Sequence, residues 1–334
     1  MPGPINIFSG YRQWLQYWRR NFDWKFGLGQ SFFKKAKGAR MLIYHGICQK
    51  DHLRFNSLFL KLETFEAHLK FYKKHFNIVS LDDFFQQRFS DERFNICITF
   101  DDGFANNYKY VLPLLERYEI PSAFFITSIR DAGYDILWND FLTIGGKFGP
   151  NKISFKNEKF IKNRFGKYSS VINKKPLSKI LRNSGFSAKA EMMQSFNSLF
   201  SFKNIVAEDF WLQMSPEQIK ELSESKWVTI GSHGYYHNDL EKISLNEASE
   251  EMKSSKLYLE QLTGKDVKAL AFPYGAYSGK VVEEAKKTGY TQLLATDFHF
   301  EDDKTDATLK ERLTINPFIS VINQMHANIT GNYD

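Results

Sequence analysis

The stretch "FNICITFDDGFANN", residues 94–107, decides how the chain is read. Its apolar run, Ile96 to Phe100, reads as a buried strand. The run ends on two adjacent carboxylates, Asp101 and Asp102, followed by Gly103. Two like charges side by side repel, and both lose hydration near a core. Something must offset that cost. A bound cation would do so; plain solvent at a strand end is the bland alternative.

Strands and helices alternate outward from this point. "ARMLIYHGI" gives a strand, Met41 to Tyr44, with His45 at its carboxyl end. Phe65, Leu69, Tyr72 and Phe76 keep a helical period, "NIVSL" is a strand and "LDDFFQQRF" a helix. The helix "YKYVLPLLERYEI" and the strand "PSAFFIT" follow, then "KWVTIGSH", "VKALAFP", "YTQLLAT" and "RLTINPF" with helices between them. This alternation argues for βαβ units and parallel pairing. The fold class is α/β, a distorted (β/α) barrel of about seven strands. Chemistry in such barrels sits at the carboxyl ends of the strands. Here those ends carry His45, Asp101, Asp102, His233 and "PYG", residues 273–275.

Residues 131–210 break the rhythm, and "GGKFGPNKISFKNEKFIKNRFGKYSSVINKKP" within them is rich in lysine. They read as a basic insertion over the barrel mouth, not as a second core. The barrel then spans 39–320, with an amphipathic extension over 1–38 and a tail over 321–334.

Bulk properties set limits on function. A net charge of +7 is modest for 334 residues. It permits contact with anionic lipids or acidic glycans, and no basic, aromatic-interleaved nucleic-acid motif accompanies it. Cys48 and Cys97 read as buried thiols, since two cysteines without a CxxC pair make no disulfide framework. No run of about 18 apolar residues and no signal h-region are visible, so the expected location is cytoplasmic. Tyr11, Trp14, Leu15, Trp18 and Phe22 fall on one helical face, with Arg12, Arg19 and Arg20 mostly on the other. That pattern suits a helix lying on a membrane, and equally a helix whose stripe packs on the barrel. In the membrane reading, the helix and the lysines of 147–189 hold the barrel mouth against the inner leaflet.

The second chemical signal is "SHGYYH", with His233 and His237 four apart. Alone it is weak. Joined to an acid pair at another strand end, it completes a three-ligand site, two imidazoles and a carboxylate, with open positions for water. The remaining carboxylate suits a general base for the attacking water. In "AFPYGAYS" the N–H of Tyr274 suits an oxyanion donor, although a plain strand-to-helix turn accounts for the stretch equally well.

"TFDDG" (99–103), the HxxxH of His233 and His237, and "PYG" (273–275), in that order, resemble the first three motifs of the polysaccharide deacetylases. These are the NodB-homology enzymes, carbohydrate esterase family four, and the likeness runs from about residue 40 to 320 outside the insertion. The resemblance implies a divalent metal, most often zinc, and removal of acetyl groups from sugars with release of acetate. It places Asp101 as base, Asp102, His233 and His237 as metal ligands, and the Tyr274 N–H at the oxyanion.

Three positions depart from the family pattern. Gly234 stands where a hydroxyl residue is usual, and Ala271 where an arginine orients the base. The late histidine motif that supplies the acid is not recognisable. Arg312 is the expected substitute for the arginine and His45 for the acid, with His326 a weaker candidate. His52, His68, His75 and His299 read as ordinary, His68 and His75 as solvent-facing. Phe104, Trp138, Tyr235 and Tyr274 are candidate sugar-stacking rings.

The expected partner is therefore an N-acetylated glycan, in a surface polysaccharide or its precursor. The rival reading is a non-catalytic glycan- or membrane-binding protein on a degenerate scaffold. A hydrolase of some other amide is a third.

Overall fold

In the computed structural model, which describes residues 7–197 and 199–333 with side chains from Arg12 onward, the opening stretch is a strand buried at every residue. In chain order the barrel strands are β1 (Ala39–Tyr44), β2 (Asn77–Ile78), β3 (Asn95–Phe100), β4 (Ser122–Ile126) and β5 (Val228–Ser232). They continue as β6 (Ala269–Ala271), β7 (Gln292–Ala295), β8 (Leu309–Glu311) and β9 (Leu313–Thr314). Their order is β8-β7-β6-β5-β4-β3-β1-β9, with β2 also beside β3. Every pairing is parallel. Strand β3 is bonded on both edges and covered on both faces, so it needs apolar residues throughout rather than an alternating pattern.

Alternation reappears in what each face meets. Ile96, Ile98 and Phe100 join the large cluster under the outer helices. Cys97 joins a second cluster with Met41, Ala123, Phe125, Ala269, Ala271 and Leu294. Three of those seven side chains are alanine, which leaves little bulk on that face. Asp101 continues the Cys97 face, two residues beyond Thr99.

Nine strands stand where about seven were expected. The two-residue strands β2 and β9 lie within stretches read as strands, "NIVSL" and "RLTINPF", whereas the three-residue β8 is too short to show a period in sequence. The last two matter most. Strand β8 pairs with β7 and β9 pairs with β1, yet only Arg312 separates them in the chain. One residue thus bridges the two edges of the sheet and nearly closes the barrel.

The insertion is built of a helix (Trp138–Phe148), a three-stranded antiparallel sheet (Lys152–Phe155, Glu158–Lys162, Tyr168–Ser170) and helices Leu177–Arg182 and Phe186–Asn197. Contrary to expectation it has its own apolar cluster, including Phe141, Ile144, Phe160, Met192 and Phe196. Lysines on the outward positions of short strands hide the inward ones: Lys152–Phe155 alternates exposed, buried, exposed, buried. The cluster also takes in Phe59 and Phe104, which seats the insertion on the barrel beside "FDDGF".

Residues 321–334 are likewise more than a tail. Val321–Thr330 is a helix capped by Ser320, and Met325, Ala327 and Asn328 are buried. Asn328 Nδ2 donates to the Tyr72 hydroxyl at 3.2 Å. Cys48 and Cys97 are free and buried, and burial pushes both thiols up to about 12.

His68 is a further correction. It is 1% exposed, with Nδ1 2.9 Å from the Tyr44 hydroxyl, which in turn meets Tyr72 at 2.7 Å. A helix wrapped by a barrel on one side and the C-terminal helix on the other has more than one buried stripe. Burial lowers His68 to about 3, so the folded protein holds it neutral. As pH falls from 6.5, the unfolded chain binds a proton here that the folded chain does not. Stability therefore drops on acidification, by roughly 2 kcal/mol at about pH 5 from this residue. Urea unfolding of His68→Gln between pH 7 and 5 should show a shallower fall than the parent protein.

Candidate active site

Strand β3 delivers Asp101 and Asp102 in opposite directions. The Asp101 N–H donates to the Tyr44 carbonyl at 3.0 Å, so it still follows the ladder with β1. Asp102 then adopts a left-handed backbone, φ 75°, which reverses the chain. Asp101 receives a two-pronged bond from Arg312, Nη1 to Oδ1 and Nη2 to Oδ2, each 2.8 Å. Arg312 Nη1 also donates to the Thr99 hydroxyl at 3.0 Å, and that hydroxyl donates to the Leu42 carbonyl at 2.8 Å. Both charged groups are under 5% exposed. Burial by itself would push the Asp101 carboxyl up, but Arg312 and then His233 outweigh it and hold the group below its usual range.

Asp102 faces two imidazoles. Its Oδ1 lies 3.4 Å from His233 Nε2 and 3.2 Å from His237 Nε2. Ligand atoms of all three residues lie within 4.8 Å of one another. The Nδ1 of His233 is 2.8 Å from the Ala271 carbonyl, a contact that assigns its proton to Nδ1 and turns the Nε2 lone pair inward. Two imidazole nitrogens and a carboxylate oxygen converging on one point are the donor set of a catalytic divalent site, so these residues fit such an ion.

The HxxxH segment is a loop, not a helical turn. His237 is left-handed, φ 56°, as is Gly234 at φ 75°. A Cβ on Gly234 would stand 2.9 Å from Glu251 Oε1, which explains why no hydroxyl residue stands there. The loop is steadied instead by that buried carboxylate. Glu251 accepts from the N–H of Tyr236 and Asn238 at 3.0 and 3.2 Å and from Asn238 Nδ2 at 2.8 Å.

The third motif is a tight turn. Tyr274 sits at φ 63°, and the N–H groups after it close the turn, Gly275 to the Phe272 carbonyl and Ala276 to that of Pro273. A Cβ on Gly275 would fall 2.1 Å from Thr296 Oγ1, so no larger residue fits. The Tyr274 ring lies 4.7 Å from that of His237. On its other side the Arg182 guanidinium stands 4.4 Å from the ring centre, fixed by a 2.7 Å bond to the buried Asp239.

His45 completes the centre at the end of β1. Its Nδ1 is buried without a hydrogen-bond partner. Burial lowers its pKa, with the charges of Asp102 and Asp101 opposing. Of the other candidates, His326 lies away from this centre, stacked on Phe32 at 4.3 Å. Phe104 is wholly buried against Phe59 and is no stacking platform. The Tyr235 hydroxyl is tied to Asp131. Trp138 and Tyr274 remain, both lining a cavity of about 550 Å³ with Arg182, Lys179 and Lys242.

Two residues escaped the sequence reading. Glu251 shares the buried stripe of its helix with Ala248, Met252, Ser255 and Leu259, and an acid on such a stripe is the signal that was there to find. Asp140, in the first helix of the insertion, is 3% exposed. Burial, reinforced by the charge of Asp102, pushes its carboxyl well up, and Oδ2 has no partner.

The family model described as polysaccharide deacetylase matches residues 90–144 and 197–293. Those two blocks hold Asp101, Asp102, His233, His237 and Tyr274, and the gap between them falls within the insertion. The chain belongs to the polysaccharide deacetylase family. It is a hydrolase, a deacetylase of the class acting on the amide bond of N-acetyl sugars. YxkH of Bacillus subtilis (strain 168), named for the same family, is 19% identical over 273 residues, covering 80% of this chain and 68% of that protein. Among solved structures, the Streptococcus pyogenes deacetylase PplD, in complex with acetate, superposes with a TM-score of 0.57 at 15% identity, covering 88% of this chain and 99% of that one. BC0361, a polysaccharide deacetylase from Bacillus cereus, gives 0.53 at 20% identity over 88% and 69%. These likenesses carry the nearly closed parallel barrel.

The Arg312–Asp101 pair sets an expectation for the deacetylase. Arg312→Met leaves a buried carboxylate unpaired, at a cost of about 3–5 kcal/mol in denaturant unfolding. It also raises the Asp101 pKa, so any activity that needs the ionised carboxylate has its acid limb moved to higher pH. An unchanged pH–rate profile would show that Asp101 takes no proton in the reaction.

Proposed function

We propose that this deacetylase removes the N-acetyl group of a glycan sugar with a divalent ion held by Asp102, His233 and His237. The observation that carries the reading is the division of the acid pair. One carboxylate faces two imidazole nitrogens, while its neighbour is gripped by a guanidinium and left without a ligand partner. A mere binding scaffold has no use for that second, separately held base.

When bound, the ion supplies Lewis acidity toward the attacking water and the amide oxygen, and zinc suits the nitrogen and oxygen donors. Asp101 takes the proton of the water as its oxygen bonds to the amide carbon. Arg312 keeps that carboxylate ionised and aimed. The N–H of Tyr274 donates to the developing oxyanion. The C–N bond then breaks as the sugar nitrogen receives a proton, leaving acetate and a free amine.

His45 is the residue we assign to that last proton. Its Nδ1 is buried and unpartnered, and both aspartates act on it. Asp140 has a different use. Its raised pKa favours the protonated form, which would donate a hydrogen bond toward the sugar. The adjoining cavity, with Trp138 and Tyr274 as walls, offers aromatic surface to a sugar ring.

Acetate release from N-acetylhexosamine polymers and lipid-linked sugars, with and without chelator, tests the reading. Asp101→Asn should keep the metal and lose turnover on the order of 10²-fold or more. Asp102→Asn should lose the metal as well. Equal metal content and equal rates in the two variants would refute the division of roles. His45→Gln should lower kcat and flatten the alkaline limb of its pH profile. A loss confined to KM would move the acid role away from His45.

A further inference from the structure

The N-terminal helix, Ile7–Lys25, packs the wrong way round for an ordinary surface helix. Its polar side faces the protein. Gln13 and Tyr17 donate to the Tyr333 carbonyl at 2.6 and 2.7 Å, and Ser320 bonds to Asn21 at 2.7 Å. Trp24 anchors the end of the helix, edge-on to Phe33. The apolar side faces outward: Trp14 is 59% exposed, Leu15 40%, Trp18 56% and Phe22 44%, and Phe26 and Leu28 beyond the helix are 60% and 68% exposed. Of the stripe read in the sequence, only the Tyr11 side chain lies outside the described residues. A surface helix normally turns such a stripe to the core, and leaving it in water forgoes the gain of burying it.

Charge says what covers it. Residues 7–37 hold seven lysines and arginines against one acid, Asp23. A second copy laid on this face would bring two strongly basic surfaces together. An anionic surface would be complementary. Tryptophan and phenylalanine flanked by arginine suit the headgroup boundary of a bilayer, while no described helix is long and apolar enough to cross one.

We propose that this helix lies in the interface of a bilayer containing anionic lipid, aromatic face down, with its basic residues among the headgroups. The docking is independent of the deacetylase chemistry. The fold holds the helix by its polar side, so the membrane face is already presented and no rearrangement is required. One amphipathic helix of this size gives reversible binding, and its electrostatic part is screened by salt.

The test is co-sedimentation of the full chain with vesicles of phosphatidylcholine alone, or with about a third phosphatidylglycerol. Binding is expected to the anionic vesicles at low salt, with a blue shift of tryptophan emission, and to fall away near 1 M salt. Changing Arg12, Arg19 and Lys25 to glutamine should weaken it about fivefold per charge. Trp14→Ser, Trp18→Ser and Phe22→Ser together should weaken it on the order of 10²-fold, with acetate release from a soluble substrate unchanged. These side chains are exposed, so folding should survive; if it does not, the charge variant alone decides. No binding by the full chain, equal binding to neutral and anionic vesicles, or a charge variant that binds like the parent would overturn the proposal. So would self-association without lipid that the triple serine variant abolishes, which would assign the face to a second copy.

Discussion

The fork between Arg312 and Asp101 couples the closure of the barrel to its chemistry. Moving a carboxylate and a guanidinium out of water costs several kcal/mol each, and only close, fully bonded geometry offsets that. Here the two parallel 2.8 Å bonds and the Thr99 hydroxyl provide it. The arginine lies between β8 and β9, the strands that pair with the two separate edges of the sheet. Asp101 is therefore neutralised only when those edges come together. Conversely, the edges meet around a charge that would be intolerable alone. The alanine at 271 fits the same logic. Its place on β6 is two strands away from β8 around the wall, and a small side chain there leaves room for a guanidinium arriving from the other side.

The three motifs share a second constraint. Asp102, His237 and Tyr274 all have left-handed backbones, each costing on the order of 1 kcal/mol or more for a residue with a side chain. Regular strand or helix cannot aim successive side chains at one point, because neighbours diverge by fixed angles. A single left-handed residue at the end of a parallel strand can. The surroundings hold each one in place. The Thr127 hydroxyl donates to the Asp102 carbonyl at 3.1 Å, Glu251 gathers the His237 loop, and Thr296 leaves space only for glycine after Tyr274. Strain and rigidity are thus concentrated where geometry has to be exact to a fraction of an ångström for proton transfer.

Much of this was legible from residue order. The parallel alternation, the carboxyl-end placement and the Asp-Asp-His-His set follow from periods and spacing that survive in one dimension. Arg312 was reachable too, as the arginine of the closing segment "ERLTINPF" able to replace the one missing at 271. What stayed hidden has physical reasons. The three-residue strand β8 carries no period. The core of the insertion is masked because half the positions in its short strands are lysine or another polar residue. His68 looked exposed because a helix buried on two sides breaks the rule of one apolar stripe. Glu251 and Asp140 act from helices remote in sequence from the motifs, and no local pattern connects them. The orientation of the N-terminal stripe was undecidable: the same spacing describes a face turned in and a face turned out, and only the bonds of Gln13, Tyr17 and Asn21 to the C-terminal segment distinguish them.

Three carboxyl groups near one centre end in three different states, and the environment of each accounts for the difference. Asp101 is ionised because a guanidinium grips it. Asp102 is held well below its usual range, since bonds from His233 and His237 outweigh a burial that would raise it. Asp140 is buried beside the charge on Asp102, and both push its carboxyl well up. The arrangement sorts a base, a ligand and a donor from the same side chain. The sorting depends on the insertion, because Asp140 enters on its first helix, whose apolar cluster is seated on Phe59 and Phe104. The lysine-rich cap is therefore part of the electrostatics of the centre it covers.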